Sequence, residues 1–420
     1  MLVRALVYAP PSRNTFGARD ERPIIPVSFA TGAQGSDAGH PLRDPVSFRR
    51  EPSPAHKRIF RGCLLGGAIG DALGAPVEFM SLAEIRETFG RTGITEFTTA
   101  FDRKGAITDD TQMSLFSAEG LLRAYVAGAA QSGAAAISPI VANAYGRWLA
   151  TQGRKPGFAD LDRDGWLFSI RELHVQRVPS ASCLSALEEM PERGDRARNE
   201  SKGCGGVMRS APVGLWCARI DDGLSLERAA RHALELGAEI AGLTHGHPTG
   251  RLAAGALAAL VLLLARETPL RDAVIRVKTL LTRYPGHAET ISAINRAQAF
   301  SADGAPRAES LSDLGEGWMA DEALAIGLRC ALAAPDFESG VRLAVNHDGD
   351  SDSTAAIAGH LLGAIHGVEA IPKRWTISLE LRRVIVEIAD DLATFPDWPI
   401  GEFMPESDEA DYWKRRYPGT

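Results

Sequence analysis

From Lys57 onward the chain consists of long segments rich in Ala, Leu, Arg and Glu. Their apolar residues recur at helical spacing, and short stretches of Gly, Pro, Asp and Ser separate them. Runs of Val, Ile, Thr and Tyr that would fill a sheet are missing, so this region is committed to helices. The spacing predicts helices over 58–75, 110–127, 136–150, 224–242, 249–266, 268–284, 287–300, 318–333, 336–345, 353–366 and 375–393. A compact, all-α, multi-helix body with short connections follows. Gly66, Gly67, Gly70 and Gly74 each weaken the first of these helices by ~1 kcal/mol relative to Ala. Close helix packing or close approach of a ligand has to offset that loss.

A chain of 420 residues can bury a large core, and its 45% apolar and 24% charged residues exclude global disorder and a fibrous repeat. Lys plus Arg (46) against Asp plus Glu (53) leaves a net charge of -7 with no long basic run. Neither nucleic acid nor an anionic membrane is therefore expected as a partner. Five scattered cysteines without a C-x-x-C pair argue against a disulfide scaffold and a thiolate zinc site, and point to a reducing, cytoplasmic setting. The most apolar run, Leu252–Ala265, has 14 residues, short of the ~20 that span a bilayer, and reads as a buried helix. Residues 1–55 hold eight of the 24 prolines and should form an irregular extension, with residues 56–420 as the folded helical domain. Phe16, Ile24, Ile25, Val27, Phe29 and Phe48 leave two readings of that extension: a disordered tail, or an arm that docks on the body or on a partner.

Two acidic segments carry the chemistry. Thr108-Asp109-Asp110 opens a helix, where such oxygens ordinarily accept from the unpaired N–H groups of the first turn. One cap needs one residue, however, and a divalent cation would relieve the repulsion of adjacent carboxylates, so capping and metal binding both stand. In Asn346–Thr354, Asp348, Asp350 and Asp352 alternate with Gly and Ser and no Lys or Arg intervenes, which favours a cation loop over a simple cap. An EF-hand fails, since position 12 counted from Asp348 is Gly359. An all-oxygen ligand set suits Mg²⁺ or Mn²⁺ over zinc. Facing each other across a bundle core, the two segments, about 240 residues apart, would hold two cations ~3.5–4 Å apart, an arrangement that orients water and polarises substrate oxygens. Three weaker signals accompany them. Glu78 follows the proline stop of the glycine-rich helix, where a carboxylate can swing over a ligand. Gly203, Cys204, Gly205, Gly206 and Met208 lie in a loop whose backbone amides suit phosphate. His245 and His247 precede the apolar helix, where hydrogen bonding is the ordinary use.

These segments, in this order from about Phe60 to Asp391, resemble the ADP-ribosylglycohydrolase family, the group of dinitrogenase-reductase-activating glycohydrolase and ADP-ribosylarginine hydrolase. The resemblance implies an all-α orthogonal bundle with two Mg²⁺, or Mn²⁺, on Thr108, Asp109, Asp110, Asp350, Asp352 and Ser353. It implies that Glu78 belongs to a mobile loop gating the site, that Gly203 to Met208 wrap the ribose-diphosphate, and that His245 contacts the ligand. Asp348 departs from the family, which commonly has a small residue there, and the 1–55 extension has no counterpart in compact members. The implied reaction is hydrolysis at C1 of a ribose linked to a protein side chain, arginine first, reversing an ADP-ribosyltransferase. Glu78, Asp109, Asp110 and Asp350 are the carboxylates available for proton transfer. Two alternatives stand beside it: a protein whose extension binds and blocks an ADP-ribosyltransferase, and a hydrolase of serine-linked or O-acetyl ADP-ribose.

Overall fold

The computed structural model describes residues 54–130, 136–299, 307–401 and 404–419; the expected extension, through residue 53, lies outside them. Among the described residues there are sixteen α-helices, and the sheet is limited to one two-stranded hairpin, Thr99–Ala100 against Arg103–Lys104. The fold is all-α, as the composition demands.

In chain order the first half holds α1 (Pro54–Gly74), α2 (Leu82–Phe89), α3 (Asp109–Ala130), α4 (Ile137–Thr151), α5 (Ala181–Glu188), α6 (Ala211–Ile220), α7 (Leu226–Ala241) and α8 (Pro248–Ala265). The second half holds α9 (Leu270–Leu281), α10 (Ala288–Gln298), α11 (Ala320–Ala333), α12 (Phe337–Ala344), α13 (Ser351–His366), α14 (Lys373–Ser378), α15 (Arg382–Thr394) and α16 (Asp408–Arg416). Helices α2, α5, α6 and α16 were not expected from periodicity. The segment expected as one helix over 375–393 is two, because Leu381 takes a left-handed φ of 53° and turns the chain between α14 and α15. Proline at the start of α8 extends the apolar run to 18 residues, long and apolar enough to cross a membrane. It is 89% buried inside the protein, the property of a core helix, and it packs against α6, α7 and α9.

The crossing of α1 over α13 places the acidic segments. A Cβ added at Gly62 would lie 2.3 Å from the Gly363 carbonyl oxygen, at Gly66 2.3 Å from that of Gly359, at Gly70 2.0 Å from that of Ala355, and at Gly74 2.4 Å from the Asp352 Cα. The two helices therefore run antiparallel with their backbones in contact. Only glycine permits this approach, and the packing gained offsets its helix-weakening cost. The consequence is local: the C-terminal end of α1, carrying Asp71, meets the N-terminal end of α13, carrying Asp350 and Asp352.

Candidate active site

Thr108, Asp109 and Asp110 enter α3 from a loop that is fixed on both sides. Asp71 of α1, fully buried, accepts from the Thr108 amide (2.9 and 3.1 Å), the Thr111 amide (3.1 Å) and the Thr111 hydroxyl, so it satisfies donors at the start of α3. Glu380 accepts from the Ile107 amide (3.1 Å) and from Arg103 (2.7 Å) and Arg177 (3.2 Å), which pins the approach. Asp109 donates its amide to the Arg177 carbonyl (3.2 Å) and accepts at Oδ2 from the Ser180 amide (3.2 Å).

The second segment is equally fixed. Asp350 caps α13, accepting from the Ser353 amide (3.3 Å), and its own amide donates to the Glu316 carbonyl (2.8 Å). Asp352 Oδ1 accepts from the same Ser353 amide (2.9 Å). The segments meet directly: the Ser353 hydroxyl donates to Asp110 Oδ1 (3.3 Å), and the Thr108 hydroxyl lies within hydrogen-bonding reach of Asp352. Capping and clustering thus coexist. Thr108, Asp71 and one oxygen of Asp350 do the capping, while Asp110 Oδ2 and Asp350 Oδ2 are buried with no hydrogen-bond partner.

Asp71, Glu78, Asp109, Asp110, Asp350 and Asp352 are all less than a tenth exposed, and each experiences the charge of others in the group. Burial, then Asp352, raises Asp71 to about 7. Burial, then Asp352, Asp350 and Asp109, raises Glu78 to about 11. Burial likewise holds Asp109, Asp110 and Asp350 well above the ordinary carboxylate range. Taking such ions out of water costs several kcal/mol each unless they are compensated. Two partnerless carboxylate oxygens inside an all-oxygen, like-charged cluster are the donor set that a hard divalent cation satisfies. The residues present fit such ions.

A tighter trio sits elsewhere: Cys217, Asp221 and His232 have donor atoms within 4.8 Å of one another. His232 Nδ1 and Asp221 are already paired at 2.6 Å, and burial keeps the Cys217 thiol protonated, so this trio reads as an ion pair beside a buried thiol. Among the described residues this trio alone brings three such donor atoms so close together; the carboxylates of the acidic cluster do not.

The glycine loop borders the cluster. Cys204 lies in hydrogen-bonding reach of Asp350, and the Ser353 hydroxyl is 3.9 Å from the Met208 sulfur. Three of the amides expected to face phosphate are already engaged: Gly203 donates to the Ser201 hydroxyl (3.3 Å), Cys204 to the Trp318 carbonyl (3.0 Å) and Met208 to the Cys204 carbonyl (3.2 Å). His245 is fully buried behind the loop; a Cβ on Gly205 would lie 3.1 Å from its ring and one on Gly206 3.4 Å. Its Nδ1 pairs with the Thr244 hydroxyl (2.8 Å), and Nε2 is buried without a partner. Burial, then Arg209, lowers its pKa to about 3, so the ring is neutral. His247 caps α8, accepting from the Thr249 amide (3.1 Å), in the hydrogen-bonding role expected of it. Sequence reasoning missed Asp71 and Glu380. An acid at Asp71 amid an otherwise apolar, glycine-rich helix was the available signal for the first; Glu380 lay inside a segment read as plain helix.

The family model described as ADP-ribosylglycohydrolase matches residues 52–399. An uncharacterized protein of Archaeoglobus fulgidus is 31% identical over 346 residues, covering 79% of this chain and 95% of its own. The ADP-ribosyl-[dinitrogen reductase] glycohydrolase of Rhodospirillum rubrum is 26% identical, covering 76% and 90%. ADP-ribosylhydrolase ARH3 of Gallus gallus is 24% identical, covering 82% and 94%. A solved structure titled ADP-ribosylglycohydrolase-related protein complex superimposes with a TM-score of 0.57 at 27% identity, over 82% of this chain and 99% of that one. With a family model spanning most of its length, the chain belongs to the ADP-ribosylglycohydrolase family.

Proposed function

We propose that this ADP-ribosylglycohydrolase removes ADP-ribose from modified protein side chains, arginine first, with two Mg²⁺ or Mn²⁺ held by Thr108, Asp109, Asp110, Asp350, Asp352 and Ser353. The observation that supports this most is the meeting of Ser353 with Asp110 across 243 residues, with a partnerless buried carboxylate oxygen on each side. When bound, the cations position ribose hydroxyls and polarise substrate oxygens. The protein's own residues do the rest. Hydrolysis joins the water oxygen to C1 and returns the C1–N electrons to the leaving guanidine, so one proton must leave the water and one must reach the nitrogen. Asp109 Oδ2 accepts from the Ser180 amide while Asp110 Oδ2 and Asp350 Oδ2 have no hydrogen-bond partner, and a carboxylate oxygen of Asp109, Asp110 or Asp350 takes the water's proton. Glu78, in the turn after α1 and near enough to Asp352, Asp350 and Asp109 to feel their charge, is assigned to supply a proton to the leaving group. The loop from Gly203 to Met208 borders the same cluster and is assigned to the ribose-diphosphate.

Arginine is the linkage implied by the resemblance of the motifs, and the Rhodospirillum relative's name places its own substrate on a protein. The test is incubation with arginine-linked, serine-linked and O-acetyl ADP-ribose, each with Mg²⁺, Mn²⁺ or excess chelator. Release from arginine that stops in chelator and in Asp109→Ala is expected. Full release in chelator, or in that variant, contradicts the proposal.

A further inference from the structure

Glu78 lies in a turn between α1 and α2 whose own hydrogen bonds are local, Val77 to the Gly74 carbonyl (2.8 Å) and Met80 to that of Val77 (2.9 Å). Two further contacts hold the turn in place. Asp348 Oδ1 accepts from the amide of Leu82, the first residue of α2, at 2.8 Å. Phe79, 68% exposed, stacks on Trp318 at 5.6 Å and 18°. The loop that offers Asp348 is itself rigid, since His347 bonds the Asp348 carbonyl (2.7 Å) and the Thr354 hydroxyl (2.7 Å). Asn346 from the same loop grips the segment after α2, accepting from the Ile94 amide (2.8 Å) and donating to its carbonyl (3.0 Å). The acidic loop therefore holds the chain at the start of α2 and again beyond its end.

We propose that Asp348 is a positioning residue: its carboxylate tethers the Glu78 turn to the loop of Asp350, holding Glu78 over the acidic cluster while Phe79 and Trp318 close the outer side. The inference rests on the proposed hydrolase reading for its kinetic consequence, and on geometry alone for the tether. A half-buried hydrogen bond from a helix N-terminus to a carboxylate restrains local opening about tenfold or more.

The test uses the full chain as wild type, Asp348→Ala and Asp348→Asn, which keeps an acceptor oxygen. Amide hydrogen exchange over residues 76–83 should be roughly tenfold faster in Asp348→Ala and within about threefold of wild type in Asp348→Asn, with exchange in α8 unchanged. On arginine-linked ADP-ribose, Asp348→Ala should lower kcat about tenfold with KM nearly constant, the pattern of a lost transition-state contact, and Asp348→Asn should restore most of it. Equal exchange in Asp348→Ala and wild type overturns the tether, as does an Asp348→Asn variant that exchanges as fast as Asp348→Ala. A raised KM with unchanged kcat overturns the positioning role. Wild-type protein inactive on every linkage refutes the hydrolase reading instead, and the exchange measurement still decides the tether.

Discussion

Replacing Gly359 by Ala tests whether the backbone contact of α1 and α13 sets the geometry of the site. The added Cβ would lie 2.0 Å from the Gly66 carbonyl oxygen and 2.5 Å from its carbon. Carbon–oxygen contacts settle near ~3.3 Å, so the helices must separate by ~1.3 Å. No side chain can rotate away, because the obstacle is backbone. Overpacking of this kind costs ~1–3 kcal/mol, while Ala returns ~1 kcal/mol of helix propensity, so a net loss of about 1 kcal/mol, and at most about 2, is expected. In a chain of this length that lowers Tm by only about 1–3 °C. The effect on the site is larger. Asp350 and Asp352 ride on α13 while Asp71 rides on α1, and a displacement of ~1 Å in a reacting constellation costs ~100-fold in rate. Thermal unfolding and turnover would be measured beside Gly223→Ala, where an added Cβ meets nothing within 4 Å. An unchanged Tm and unchanged turnover in Gly359→Ala would refute the argument that this contact places the acidic segments.

Asp352→Asn removes a buried charge that raises its neighbours while keeping an oxygen for the Ser353 amide. In chelator the variant should be more stable than wild type by ~1–3 kcal/mol in urea, and inactive; a loss of stability contradicts the like-charge account. Asp71→Ala strands three donors at the start of α3 and should cost ~3 kcal/mol by the same measurement; a change under ~0.5 kcal/mol would show that Asp71 does not organise Thr108 to Asp110. His360 is fully buried and its pKa is lowered to about 4 by burial, with Nδ1 donating to the Cys63 carbonyl (2.9 Å). The unfolded chain takes the proton first, so this stability is complete above ~6.5 and is lost as pH falls toward about 4, by up to ~1.4 kcal/mol per pH unit. His360→Gln should flatten the acid limb of urea stability by that slope, and an identical slope would contradict the assignment.

Long helices were legible because their apolar spacing is sustained, and the glycines of α1 announced a close approach without naming its partner. Short helices were not. Helix α2 has eight residues and little periodicity, yet the Ser81 and Glu84 capping box that starts it was there to be read. Helix α6 begins at Ala211 with Pro212 in its first turn and was absorbed into the glycine loop before it. The break at Leu381 depends on Glu380 turning inward to bind Ile107 and Arg177, a contact spanning more than 200 residues that no local pattern encodes. At the site, the two acidic segments stood out because capping alone could not account for so many carboxylates. Asp71 escaped notice because a single acid carries no pattern, and its partners become visible only once α3 is laid beside α1.

The claim beneath the proposed chemistry is that the acidic segments together bind a pair of hard divalent cations. Titration of the chain with Mn²⁺ near neutral pH, with free ion counted by electron paramagnetic resonance, measures this without any substrate. Two ions per wild-type chain, and loss of saturable binding in the Asp110→Ala, Asp350→Ala double variant, is the expected result. No saturable binding in the folded wild type, or an unchanged count in the double variant, would contradict it.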